Sequence, residues 1–270
     1  SETLIDWADA GEDPPESSIP RLERRLLNAE NLELFEKLRG RSDFVPYQQP
    51  KDIVLTCLLT TTPDPQWGHI WVSDPKVTRA LMQSLMVHGV ESVTFYDDPK
   101  LDVPQDGWNS WQPIDRGVVD PYMERWMTYR RYLVAHPEVR WVWCVDVSDV
   151  ELLQEPFADM EEGTLYCGYE DALCNKMWML INHEASRTWL EANATKTLLN
   201  PGVVGGDRRT VMELCDRMIK LYSWATVEGK SDAKGDMGYA QRAIYAMNYE
   251  TGPRIVTAFK RYERNDHSIW

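Results

Sequence analysis

The segment Trp141–Phe157, WVWCVDVSDVELLQEPF, constrains the fold more than any other stretch. Its apolar run from Trp141 to Val145 is short, β-branched and aromatic, the pattern of a buried strand. The run stops at two carboxylates, Asp146 and Asp149, and the segment closes on Pro156-Phe157. Acidic groups at the end of a buried strand are costly unless a partner holds them. A divalent cation carrying a phosphorylated ligand is one such partner. Capping of a turn or of the next helix is the other.

Around this strand the chain alternates. Ile53–Leu59 reads as a strand, followed by the loop Thr60–Gly68 and a helix from Asp74 to His88 with Gly89 in the C′ place. Ser92–Tyr96 reads as a second strand ending in Asp97-Asp98-Pro99. A loop rich in Pro, Gly, Trp and Asp runs to Asp120, and Pro121 opens a helix reaching His136. Strand, helix, strand, helix, strand predicts an α/β fold with a mostly parallel central sheet and helices on both faces. Ligands of such sheets bind beyond the carboxyl ends of the strands. Thr60–Asp64, Asp97-Asp98 and Asp146–Asp149 all fall at such ends.

The second half is more mixed. Thr164–Tyr169 reads as a strand ending in Glu170-Asp171, and Glu184–Ala194 as a helix. Asn200–Gly206, NPGVVGG, is an apolar piece framed by glycines, which points to close backbone approach. Asp207 is placed to cap a helix with Val211, Leu214, Cys215, Met218 and Leu221 on one face. Asp236–Met247 reads as a further helix and Ile255–Ala258 as a last strand. The first 50 residues form a separate region: an acidic stretch with Pro14, Pro15 and Pro20, then an amphipathic helical stretch, Arg21–Arg39. That helical extension offers a surface for packing on the 51–270 domain or for homo-oligomer contacts.

The formal net charge of −14 argues against sequence-independent nucleic-acid binding and against attraction to anionic membranes. Any phosphate must therefore be held by a metal or by a few local Arg and Lys. Five cysteines without a CxxC pair fit reduced, buried thiols rather than a disulfide framework or a zinc site. No 18-residue apolar stretch predicts a membrane span, and residues 1–20 lack the order of a signal peptide, so a cytoplasmic location is expected. Trp is frequent at 12 residues against 5 Phe, which suits core packing first and sugar-ring stacking second.

Asp146-Val-Ser-Asp149-Val150, with Gln154 and Pro156-Phe157, resembles the metal-binding segment of GT-A fold glycosyltransferases that use nucleotide sugars. The spacing here is DxxD rather than DxD. Asn200–Gly206 is similar to that family's N-x-G-hydrophobic-hydrophobic-G element, and Asp236-Met-Gly-Tyr-Ala-Gln241 to its acidic helix start facing the acceptor. The ordered set spans about residues 52–270. The resemblance implies a Rossmann-related sheet and the transfer of a hexose from a nucleoside diphosphate to an acceptor hydroxyl. UDP-sugars are favoured as donors over GDP-sugars; the acceptor is a glycan, protein or small molecule. It implies Mn²⁺ or Mg²⁺ as cofactor, because a bridging cation stabilises the charge that develops on the leaving diphosphate.

Residue by residue, the resemblance implies that Asp149 binds the metal directly. Asp146 binds metal or donor ribose, and His267 completes the shell. For the nucleotide, Thr60, Thr61 and Thr62 offer hydroxyls and backbone groups at a strand end. Asp98 is a candidate acceptor from ribose or base, and Arg125 a candidate base or phosphate contact; Arg130 and Arg131 read as surface residues. Asp236 is a candidate general base, with Glu170 or Asp171 as the alternative. Two other classes stay open: a non-catalytic carbohydrate-binding or assembly protein retaining the fold, and another metal-dependent phosphoryl or nucleotidyl enzyme. The DxDx[TV] of haloacid-dehalogenase-like phosphatases, the basic Gly-rich loop of nucleotidyltransferases, GxGxxG and GxSxG are all missing.

Overall fold

A computed structural model describes residues 49–104, 107, 109–117, 119–232, 235–250 and 252–260. The expectations for the N-terminal helical extension and for His267 lie outside these residues. The strands are β1 (Lys51–Leu58), β2 (Ser92–Tyr96), β3 (Asn109–Pro113), β4 (Val139–Val145), β5 (Thr164–Leu173), β6 (Thr197–Asp207) and β7 (Arg254–Lys260). They form one sheet in the order β3-β2-β1-β4-β6-β5-β7. Four of its six strand pairings are parallel; β6 alone runs against both its neighbours, β4 and β5. The domain is thus α/β with a mixed, mostly parallel sheet, as the alternation of elements predicts.

The helices are α1 (Arg79–Val87, entered through a 3-10 turn Pro75–Thr78), α2 (Pro121–Ala135), α3 (Met177–Asn182), α4 (Arg187–Ala192), α5 (Arg208–Val227) and α6 (Met237–Glu250). Their starts follow local chemistry. Asp74, Asp120 and Asp207 each accept a backbone N–H of the turn they cap, and Pro121 occupies the first helical position. Gly89, at φ +66°, ends α1 in the left-handed conformation that favours glycine.

Strand periodicity sorts the core into two faces. Ile53, Leu55, Val142 and Cys144 pack with Met123, Trp126, Tyr129 and Leu133 of α2 and with the buried stripes of α5 and α6. The intervening Val54, Trp143 and Val145 pack with Leu81 and Leu85 of α1 and with Phe157 and Tyr166. Phe157, the end of the opening motif, therefore closes the α1 side of the sheet. A smaller cluster joins α3 and α4 through Met179, Leu190, Cys174 and Leu198.

Several boundaries differ from the sequence reading. β3 lies inside the stretch read as loop, and β6 begins three residues before Asn200. β5 runs on to Leu173, so Glu170 and Asp171 sit within the strand rather than after it. The helix read over Glu184–Ala194 divides into a 3-10 turn, Glu184–Ser186, and α4. No helix among the described residues is long and apolar enough to cross a membrane.

The glycines of β6 have individual reasons. A Cβ on Gly205 would collide with the indole of Trp143, its partner across the ladder, and one on Gly202 with the Asp146 carboxylate. A Cβ on Gly206 would press on the Thr164 carbonyl. Gly205→Ala is expected to cost about 1–3 kcal/mol, as overpacking does. Gly117→Ala, where nothing lies within 4 Å of an added methyl, is expected to be near neutral. Urea unfolding of both variants measures the difference. Cys144, Cys167, Cys174 and Cys215 are buried free thiols, and burial pushes Cys167 up to about 12 and Cys174 to about 11. These four should resist thiol reagents at pH 8 until denaturant is added, when all five cysteines react.

Candidate functional site

β1 lies between β2 and β4, and all three run parallel, so their carboxyl ends share one edge of the sheet. Thr60–Thr62 follows β1, Asp97 follows β2 and Asp146 follows β4. The reversed β6 contributes its beginning to the same edge: the Asp146 backbone N–H donates to the Gly202 carbonyl at 2.8 Å. The far end of β5 joins through Asn200, whose Nδ2 donates to Glu170 Oε1 at 2.8 Å. Members of each polar cluster expected at the strand ends lie on this edge: Thr60–Thr62 and Asp64, Asp97, and Asp146, with residues of β5 and β6 beside them.

Arg125 is the centre of this edge. It sits on the second turn of α2, and its side chain is 10% exposed. Its Nε and Nη2 donate to Asp236 Oδ2 at 3.0 and 2.7 Å, and its Nη1 donates to Asp146 Oδ1. Burial alone would lower the Arg125 pKa; the Asp236 and Asp146 carboxylates reverse this and hold it well above its ordinary value. Trp126 adds its indole N–H to the same Asp236 oxygen at 2.5 Å. The guanidinium lies 5.4 Å from the Trp126 ring centroid and 5.8 Å from that of Tyr122. Tyr122 donates its hydroxyl to Asp64 at 2.9 Å. Burial, and then the Asp64 charge, push that phenol above its usual range. Asp64 also takes the backbone N–H groups of Gln66 and Trp67 and the Trp71 indole N–H. One network thus runs from the β1 loop through α2 to Asp146 and the start of α6.

A second network holds the threonine loop. Asp97 accepts from Thr60 N at 2.7 Å, from Thr61 N at 3.3 Å and from Thr61 Oγ1 at 2.5 Å. Arg116, 5% exposed, lies 3.6 Å from Asp97 and donates from Nη2 to Thr62 Oγ1 at 2.5 Å. Its Nη1 is buried and has no hydrogen-bond partner. The Thr60 and Thr61 backbone N–H groups and the Thr61 hydroxyl are thus spent on Asp97, while Arg116 Nη1 is a buried donor left unused.

Other expected residues fall in different places. Asp98 accepts from the Lys100 N–H, and hydrogen bonds from Ser73 and then Lys100 hold its carboxyl below the usual range. Asp97, its neighbour, is the residue that enters the edge. Asp149 is half-buried in the turn after β4. The Asp236 carboxylate is 2% exposed and engaged by Arg125 and Trp126, so its described role is to anchor α6. Glu170 is half-buried and held by Asn200. Arg130 and Arg131 pair with Asp216 and Glu124, as surface residues.

Among the described residues, no three His, Cys, Asp or Glu side chains gather into a group able to hold a metal. Mg²⁺ is often bound without such a cage, by one or two carboxylates plus the phosphates of a substrate. Asp146 meets that requirement: its side chain is 38% exposed, and Oδ2 occupies the space that a Cβ on Gly202 would fill. The residues present fit a cation that arrives with a diphosphate.

Sequence reasoning places Asp64 and Asp97 in the strand-end clusters without giving them a role, and it misses Arg116, Tyr122 and Trp126. Asp97 continues the face of Val93 and Phe95, so period two carried its signal. Tyr122, Arg125 and Trp126 stand three and four apart on one helix face. Arg116 has no local signal, because the pairing of β3 with β2 brings it there.

Arg125→Met should destabilise the domain by about 3–5 kcal/mol, since it leaves a buried carboxylate without its cation. Arg130→Met, which removes an exposed pair with Asp216, should cost about 0–1 kcal/mol. Urea unfolding at pH 7 compares the two. No protein-family model matches the chain, and no curated protein matches it significantly.

Proposed function

We propose that this domain is a metal-dependent glycosyltransferase of the GT-A kind, moving a sugar from a nucleoside diphosphate to an acceptor hydroxyl. One observation supports the reading: Asp146, the first carboxylate of the DxxD, shares a sheet edge with the threonine loop, Arg116, Asn200 and the α6 start. This is the edge at which open α/β sheets bind ligands. An acidic chain that binds a diphosphate needs a cation and a few focused arginines, and Arg116 and Arg125 are the buried arginines of that edge.

In this reading Asp149 and Asp146 hold Mn²⁺ or Mg²⁺, with His267 as the further ligand that the resemblance suggests. The bound cation supplies Lewis-acid stabilisation of the leaving diphosphate. Arg125 fixes the rotamer of Asp146, so that one oxygen faces the guanidinium and the other lies over Gly202. Asp236 and Trp126 hold Arg125 in turn. The Thr60–Thr62 loop and Arg116 lie where the nucleotide would sit, with UDP as the favoured carrier. Glu170, anchored by Asn200, remains the candidate base for the acceptor hydroxyl.

The Arg125–Asp146 ion pair favours a second reading: a protein that keeps the fold and binds nucleotide sugar or glycan without turnover. A panel of UDP-, GDP-, ADP- and TDP-sugars with Mn²⁺ separates the two. The transferase reading expects metal-dependent release of nucleoside diphosphate, lost by about 100-fold or more in Asp149→Ala. It also expects metal and nucleotide each to raise the melting temperature more together than alone. Binding without release supports the second reading, and failure of every nucleotide sugar to bind overturns the transferase reading.

A further inference from the structure

Gly235, the residue before Asp236, lines a cavity of about 330 Å³, at the small end of the range for ligand pockets. Its other walls include Asp120, Tyr222, Thr226, Lys230, Asp232 and Tyr239. It is continuous with the site through the chain: Asp120 caps α2, which carries Tyr122 and Arg125, and Gly235 leads into α6.

The walls are preorganised. Asp232 is 5% exposed and takes the Ser186 N–H on one oxygen at 3.2 Å and the Ser186 hydroxyl on the other at 2.7 Å. Its own N–H donates to the Tyr239 hydroxyl at 3.3 Å. α6 comes this close because Gly238 has no side chain; a Cβ there would collide with the Asp232 carboxylate. The Tyr222 and Tyr239 rings meet edge to face at 6.1 Å. Asp120 accepts the Tyr122 N–H at 2.8 Å. Burial, and then the Asp236 and Asp64 charges, hold the Asp120 carboxyl above the usual range.

This lining selects a chemical class. The Asp120 carboxylate disfavours an anion, and Lys230 and Thr226 set polar side chains beside the apolar wall of Met123 and the two tyrosines. The Asp120 acceptor, the Lys230 ammonium and the Thr226 hydroxyl suit groups that both donate and accept, while tyrosine rings suit C–H faces. Neutral polyhydroxylated rings have both features.

We propose that this cavity binds a single polyhydroxylated unit, a monosaccharide or cyclic polyol, and that it is the acceptor subsite of the transfer. The acceptor role rests on the glycosyltransferase reading; the polyol binding does not.

The test is saturation-transfer NMR on the full chain without nucleotide or metal, with glucose, galactose, mannose and myo-inositol as probes. At least one should bind. Thr226→Trp, a substitution at an exposed position on the cavity wall, should weaken that binding about ten-fold without lowering the melting temperature. Asp120→Asn, which keeps the helix cap, should weaken it by a similar factor. If no probe binds, or if binding persists unchanged in Thr226→Trp, the proposal is overturned. A chain that releases nucleoside diphosphate from a nucleotide sugar yet binds no polyol keeps the transferase reading and loses this one. A chain that binds polyol in a Thr226-dependent way but no nucleotide sugar keeps the cavity's ligand class and loses the transfer.

Discussion

A guanidinium held between two carboxylates ties the domain together where it would otherwise open. Arg125 bridges Asp146, at the end of β4, to Asp236, at the start of α6. Removing either charge class from the trio leaves a buried ion without a counter-ion, which is why such groups tend to be kept or lost as a set. The Trp126 indole and Asp64, through Tyr122, extend the same network into the β1 loop. The position of Asp146, and through it the shape of the candidate metal site, depends on this arrangement.

The reversed β6 is the second organising element. A wholly parallel sheet offers only strand ends and the loops after them to its ligand edge. Here one strand enters the edge by its beginning, carrying Asn200 and Gly202. The cost is a run of close approaches, met by Gly202, Gly205 and Gly206. The glycine frame in the sequence is therefore the imprint of Trp143, Asp146 and the Thr164 carbonyl pressing on that strand.

Much of this was legible beforehand. The bounds of β2 match the sequence reading, and Pro121 at the start of α2, the cap at Asp207 and the glycine after α1 follow from local chemistry that sequence displays. β3 was not legible: Asn109-Ser-Trp-Gln-Pro113 has little strand propensity and ends in proline, and edge pairing with β2 overrides that. The six-residue α3 lacks a side-chain cap, so nothing local marked its start. In the site, Arg125 was legible because it shares a helix with apolar positions that fix its face. Arg116 was not, because a loop residue is placed by pairings distant in sequence. The carboxylates were recognisable as needing partners; that Asp146 and Asp236 share one arginine is a property of three dimensions.

The pairs that build this edge span long stretches of chain. Arg125 and Asp236 are 111 residues apart, and the Thr56 hydroxyl reaches the Val145 carbonyl across 89. Contacts this distant close large loops, an entropy cost that must be met before the contacts stabilise the chain. The domain therefore has no small fragment that carries the edge: β1, α2, β4, β6 and α6 must all be in place before Arg125 finds both of its partners. Competence of the edge then reports completion of the whole domain, and a nascent chain still lacking α6 would expose the site carboxylates without organising them.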